Sequence, residues 1–246
     1  MNEEIMKLQD ELEEISHSLS QQDISEVIDN ERRICFICCN SYTKPEFHLG
    51  SAPINDSITV ALLHHAKGYK NIHLLNPSPQ KFMSIFDKLL QMKLEKLTIF
   101  YCGHGSKIGN ESVLIFDNGC IKGSQILDHF RAYSLDSCQK TIIADCCNAE
   151  SIWAGENLPK NTIILCSSIG DTPSKQAKVF GRDHGLFTLF FWRAFRKNPN
   201  FSIKEIVQNV NTYLAKFDQK IMCTSTPSNL VDFSMFDGKK RIINNA

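Results

Sequence analysis

The sequence predicts an α/β fold, a mostly parallel sheet flanked by helices on both faces. Three observations predict it. Short apolar runs that read as strands recur at 33–39, 71–75, 96–102, 140–146 and 161–168. Segments of helical period fall between most of them. The strand runs are continuously apolar instead of alternating, as strands covered on both sides should be.

In chain order, Ile5, Leu8, Leu12 and Ile15 stand at helical spacing, so residues 2–15 read as an amphipathic helix. The polar stretch SHSLSQQDISEVIDNERR leads into RICFICC at 33–39, a buried strand whose cysteines read as core thiols. DSITVALLHHAKGY at 56–69 reads as a helix stopped by glycine, with His64 and His65 lacking an evident partner. NIHLL at 71–75 is a strand, QKFMSIFDKLLQMK at 80–93 a helix and KLTIFYC at 96–102 a strand. After a loop or hairpin, SQILDHFRAY at 124–133 reads as a helix, KTIIADC at 140–146 and NTIILCSS at 161–168 as strands. Two late helices follow, HGLFTLFFWRAFRK and FSIKEIVQNVNTYLAKF. In the first of them Phe187, Phe190, Phe191, Trp192 and Phe195 read as a core stripe. The economical division is an extension at 1–31, one α/β domain at 32–240 and a tail at 241–246.

A chain of 246 residues can bury a sizeable single core, and 42% apolar with 22% charged residues is ordinary for a soluble domain. Lys+Arg and Asp+Glu balance at 27 each, so there is no basic field to attract nucleic acid or an anionic membrane. The run Lys239-Lys240-Arg241 reads as a solvated end. No apolar segment approaches a membrane span, and the acidic, polar first residues lack the apolar core of a secretory signal. Ten cysteines without such a signal argue for a reducing compartment, hence a cytoplasmic protein with free thiols. Their spacing forms no pair of CxxC motifs, so neither a zinc site nor any other metal or cofactor is expected. The expected state is a monomer.

Chemistry concentrates where two strands end. Functional residues of open parallel sheets gather at the carboxyl ends of the strands. His104 follows the strand at 96–102, and Cys147 follows the strand at 140–146. Adjacent strands lie roughly 5 Å apart, which would bring an imidazole within reach of a thiol. Nucleophilic thiol chemistry needs that pairing, because the thiolate is the reactive species. Strand alternation puts Ile143, Asp145 and Cys147 on one side and Ala144 and Cys146 on the other. Cys147 therefore shares a side with the acid, while Cys146 faces the packed layer. Glycines on both sides of His104 permit a tight turn with amide groups open to an oxyanion. Taken singly, His104 is an ordinary loop histidine and Cys146-Cys147 a pair of core thiols; the joint pattern favours catalysis.

YCGHGS at 101–106 and DCCNAE at 145–150 resemble the two catalytic motifs of the caspase-like cysteine peptidases, and most of all the metacaspases. The caspase signature QAC followed by Arg, Gln or Gly and then Gly is absent. Asp145 matches the acid that metacaspases carry two residues before the nucleophile. LGSAPINDSITVALL at 49–63, SSIGDTPSKQA with HGLFT, and TSTPSNLVDFSMF near the end extend the resemblance over roughly 33–237.

The resemblance implies a caspase-like fold and a cysteine endopeptidase that cuts protein or peptide substrates after Arg or Lys. Cys147 would be the nucleophile, His104 the acid–base, and the amides of Gly105 and Cys147 the oxyanion donors. Asp56 and Asp145 would form an acidic pocket for the basic P1 side chain, with Cys102 and Pro53 at its wall. Pro53 and Cys102 depart from what many relatives have there, which leaves the pocket shape open. Asp56 also reads as a helix N-terminal acid complementing the dipole. Calcium-activated metacaspases carry a cluster of acids after the histidine loop. Only Glu111 and Asp117 occur between His104 and Ser124, too few for a hard cation wanting six to eight oxygens, so calcium independence is expected. Lys175, Lys178 and Arg182 lie in a loop that reads equally as a self-cleavage segment or as solvated chain. The N-terminal helix reads either as an inhibitory cover or as packing on the back of the sheet. The alternative to an enzyme is a peptidase-fold scaffold without turnover, since Asn148-Ala149-Glu150 replaces the usual small, glycine-ended continuation. Asparagine- or aspartate-directed cleavage is disfavoured by the acidic pocket.

Overall fold

The computed structural model describes residues 3–19, 31–179 and 181–236. Residues 20–30 of the polar stretch, the basic run at 239–241 and the tail at 241–246 lie outside the described residues. The chain runs α1 (Glu3–Ile15), β1 (His17–Ser18), β2 (Arg33–Cys39), α2 (Ala52–His65), β3 (Lys70–Leu75), α3 (Pro79–Gln91) and β4 (Lys96–Cys102). Three short strands follow, β5 (Gly105–Ile108), β6 (Glu111–Phe116) and β7 (Gly119–Lys122). Then come α4 (Gly123–Tyr133), β8 (Gln139–Asp145), α5 (Ala149–Trp153) and β9 (Thr162–Cys166). The chain continues with β10 (Gln176–Val179), β11 (Arg182–Gly185), α6 (Leu186–Lys197), α7 (Ile203–Leu214) and β12 (Met222–Thr226).

The main sheet has the order β1-β3-β2-β4-β8-β9-β12. All its neighbouring pairs are parallel except β9 with β12. Its register puts Cys39 beside Cys102, and Cys102 beside Asp145, in one row at the carboxyl edge. Each face carries its own apolar layer. On one face α3, α4 and α5 pack against Cys38, Tyr101, Ala144 and Cys146. On the other α1, α2, α6 and α7 pack against Cys39, Cys102 and Ile143. The buried stripe of α6 is Phe187, Phe191 and Phe195; Phe190 and Trp192 sit at the layer's margin.

Several boundaries differ from the sequence reading, each for a local reason. α2 starts at Ala52, four residues early, because Pro53 in its first turn suits a helix entry. It is buried on nearly all sides, so no polar stripe marks its length. His184 and Gly185, read as helix, belong to β11; α6 begins at Leu186. The loop around 169–183 contains the antiparallel pair β10–β11. His64 does have partners: its Nδ1 lies 2.8 Å from the Val60 carbonyl and its Nε2 3.1 Å from Thr98 Oγ1. The extension is integrated with the domain, since α1 packs beside α2 and β1 pairs with the edge strand β3. Among the described residues no helix is long and apolar enough to cross a membrane.

Candidate active site

At the carboxyl edge of the sheet a cleft of about 280 Å³ is lined by Asp56, Cys102, His104, Asp145, Cys147, Ser174 and Gly185, among others. The sequence-predicted catalytic and pocket residues thus converge from α2, β4, β8 and the segments that follow them.

His104 is held from three sides. The Tyr42 hydroxyl accepts its amide and itself donates to the Ile115 carbonyl at 3.0 Å. The Tyr101 hydroxyl lies 3.0 Å from the His104 carbonyl. The Tyr42 ring covers the imidazole with centroids 4.9 Å apart. His104 Nε2 lies 2.8 Å from the Phe47 carbonyl. A carbonyl can only accept, so Nε2 carries the proton of the neutral ring, and Nδ1 keeps the lone pair that a base needs.

Beyond β8 the chain turns sharply. Cys146 is 1% exposed and belongs to the α3–α5 layer, whereas Cys147 is partly exposed and lines the cleft. Burial pushes the Cys146 thiol well up, so it stays protonated. Two buried serines at the end of β9 fix the turn. The Ser167 hydroxyl accepts from the Cys146 amide at 3.1 Å, and the Ser168 hydroxyl donates to the Cys146 carbonyl at 3.0 Å. Asn148 takes the left-handed conformation at φ 55°, which asparagine tolerates better than most residues, and so opens α5. The His104 loop then approaches the turn closely. A Cβ on Gly105 would stand 1.9 Å from the Cys147 carbonyl oxygen, so only glycine fits there.

The two pocket acids are already engaged by the chain itself. Asp56 accepts from His184 Nδ1 at 2.9 Å and from the Gly185 amide at 2.8 Å. Asp145 accepts from the Ser174 hydroxyl at 2.7 Å through Oδ1 and from the Thr188 hydroxyl at 2.7 Å through Oδ2. Asp56 lies beyond the first turn of its own helix and is turned to His184 and Gly185 of β11. Gly185 separates the pair; a Cβ there would come within 2.4 Å of Asp145 Oδ2 and 2.9 Å of Asp56 Oδ2. Burial pushes Asp56 up to about 7, and the neighbouring Asp145 adds to the rise against the pull of His184. Burial also raises Asp145, against its bonds from Ser174 and Thr188. Cys102, 2% exposed, places its sulfur 3.4 Å from the Pro53 carbonyl; burial holds it as a neutral thiol.

Other predicted features fall outside this cleft. Glu111 accepts from Ser124 at 2.9 Å, and Asp117 accepts from Thr43 at 2.9 Å. Among the described residues no three His, Cys, Asp or Glu side chains cluster in a way that could hold a metal ion. α1 does not line the cleft, although its Glu11 lies 3.8 Å from Arg182 of β11. Sequence reasoning missed Tyr42, Phe47, Ser174 and His184. Tyr42 and Phe47 come from a segment without a motif, and the Phe47 contribution is a backbone carbonyl that no residue type signals; Ser174 and His184 lie in SSIGDTPSKQA and HGLFT, segments that carried the resemblance but gave these two residues no role.

The family profile described as "Caspase domain" matches residues 32–234. The crystal structure of caspase-1 from Spodoptera frugiperda is similar with a TM-score of 0.63 and 15% identity, over 80% of this chain and 87% of that one. At such low identity that likeness bears on the fold alone. A search of curated proteins finds no significant match. With the profile spanning most of its length, this chain belongs to the caspase-domain family of cysteine peptidases.

Proposed function

We propose that the protein is a metacaspase-like endopeptidase that cuts after Arg or Lys, with Cys147 as nucleophile and His104 as acid–base. One observation carries this reading: the thiol, the imidazole and two buried carboxylates line a single cleft. A charge-assisted hydrogen bond contributes about 1.5–3 kcal/mol, so two carboxylates favour a basic P1 side chain over a neutral or acidic one by orders of magnitude.

In the reaction the thiol proton passes to Nδ1 of His104, and the sulfur adds to the scissile carbonyl carbon. The resulting oxyanion is met by the amides of Gly105 and Cys147. His104 returns the proton to the amine as the C–N bond breaks, leaving a thioester. Water, giving a proton to His104, then releases the acid and restores the thiol. The Nε2–Phe47 bond supports this assignment because it leaves Nδ1 as the working nitrogen. Calcium independence is supported by the engagement of Glu111 and Asp117 with neighbouring hydroxyls. Ten unpaired cysteines support a cytoplasmic location. We expect a monomer.

A second reading, a scaffold without turnover, is favoured by one contact. The hydrogen bond recorded at the Cys147 sulfur comes from the Ser174 amide at 3.4 Å, while His104 Nε2 goes to Phe47. Turnover of fluorogenic peptides ending in Arg, Lys, Asp or Asn, under reducing conditions with and without calcium, separates the two. Cleavage after Arg and Lys without calcium is the expected result. Silence on every peptide with Cys147 still open to alkylation would point to a latent zymogen or to the scaffold, and cleavage after Asp would refute the acidic pocket.

A further inference from the structure

Ser174 is bonded both to the thiol and to a pocket acid. Its amide donates to Cys147 Sγ at 3.4 Å, and its hydroxyl donates to Asp145 Oδ1 at 2.7 Å. The two groups therefore share a single tether three bonds long, and any movement that breaks one contact strains the other. Ser174 itself lines the cleft. Asp145 is 7% exposed, and its other oxygen is taken by Thr188 on α6. A cationic side chain that takes Asp145 Oδ1 from the cleft competes with the Ser174 hydroxyl for it.

We propose that Ser174 is a specificity-determining residue that makes access to the Cys147 thiol conditional on a cation binding Asp145. This rests on the reading of Asp145 as a P1-binding acid. With the pocket empty, the hydroxyl stays on the carboxylate and the segment lies over the sulfur. A guanidinium or ammonium group takes the carboxylate, the hydroxyl is freed, and the amide leaves the thiol. The segment has fixed ends to hinge from. The Lys175 amide donates to Gln219 Oε1 at 3.2 Å, and its carbonyl accepts from Leu186 at 2.8 Å. On the other side the Thr172 amide closes a turn onto the Ile169 carbonyl at 3.1 Å. Between these anchors only residues 173 and 174 need to move. A peptide with an acidic or apolar P1 would leave the latch closed, so selectivity acts on the nucleophile as well as on binding.

The test is the alkylation rate of Cys147 by iodoacetamide in the full chain, resolved from other thiols by mass spectrometry, with and without agmatine. Agmatine carries the guanidinium and no scissile bond. A hydrogen bond to a carboxylate shifts an open–closed equilibrium by roughly ten- to hundred-fold. Wild type should alkylate about tenfold faster with saturating agmatine. Ser174→Ala should be fast without it and indifferent to it, and Ser174→Thr should restore the dependence. A Ser174→Ala rate equal to or below that of wild type overturns the latch, because the contact then positions the thiol. Ser174→Ala fast but wild type unresponsive to agmatine leaves the tether and refutes Asp145 as the P1 acid, and with it the proposed coupling.

Discussion

Cys146 and Cys147 are neighbours with opposite surroundings, one in the apolar layer and one in the cleft. Cys147→Ala should abolish peptide cleavage. Cys146→Ala should keep it and lower stability by about 1 kcal/mol through a small cavity, read from peptide turnover and urea midpoints. Two buried histidines make a separate claim on pH. Burial pushes His64 and His73 each down to about 4, below the unfolded value near 6.5. Their contribution is therefore complete above 6.5 and is lost as pH falls toward 4, by roughly 3 kcal/mol each. Asp56, raised to about 7, acts in the opposite sense, its contribution fading as pH rises from the carboxylate range through 7. His64→Asn, which keeps a donor for the Val60 carbonyl, should flatten the acid limb by close to one proton in urea titrations between pH 4 and 7. At this scale the meeting of Cys147 and His104 in one cleft was legible because each follows a strand in a distinctive motif. Phe47 was not, since it acts through a main-chain carbonyl that any residue type could supply, and Ser174 was not, since its hydroxyl reaches Asp145 only once the chain after β9 folds back over the cleft.

The parallel strands and most helices were legible as elements because their residues are buried in long, regular runs. The β10–β11 hairpin was not: QAKV and RDHG are short, half-exposed and without an apolar face. Its pairing is set by antiparallel register from Gln176–Gly185 to Val179–Arg182. This pairing separates the three basic residues proposed for self-cleavage. Lys175 is anchored by its amide, its carbonyl and an ammonium bond to the Phe217 carbonyl. Lys178 and Arg182 flank the hairpin tip, where chains are most readily nicked. Incubation of the active protein should yield fragments ending at Lys178 or Arg182 and none at Lys175, as read by intact-mass spectrometry. Lys175→Gln should leave the fragment pattern unchanged.

Across the whole molecule, the N-terminal elements are part of the fold. Leu8, Leu12 and Leu19 are 6%, 1% and 0% exposed, and β1 completes one edge of the sheet. Burying a leucine contributes roughly 2 kcal/mol, so removing residues 1–19 should cost about 4–6 kcal/mol. We expect a lower melting temperature and poor solubility, with no gain in turnover per folded molecule; an active, stable truncation would make α1 an inhibitory cover. The cleft itself is assembled from distant stretches: Asp56, His104, Asp145, Cys147, Ser174 and Gly185 meet only when the parallel sheet is complete. Lys175, next to Ser174, is in turn held by Gln219. During synthesis, then, Cys147 leaves the ribosome before Ser174, Gly185 and Gln219, and the cleft around its thiol cannot close until they follow.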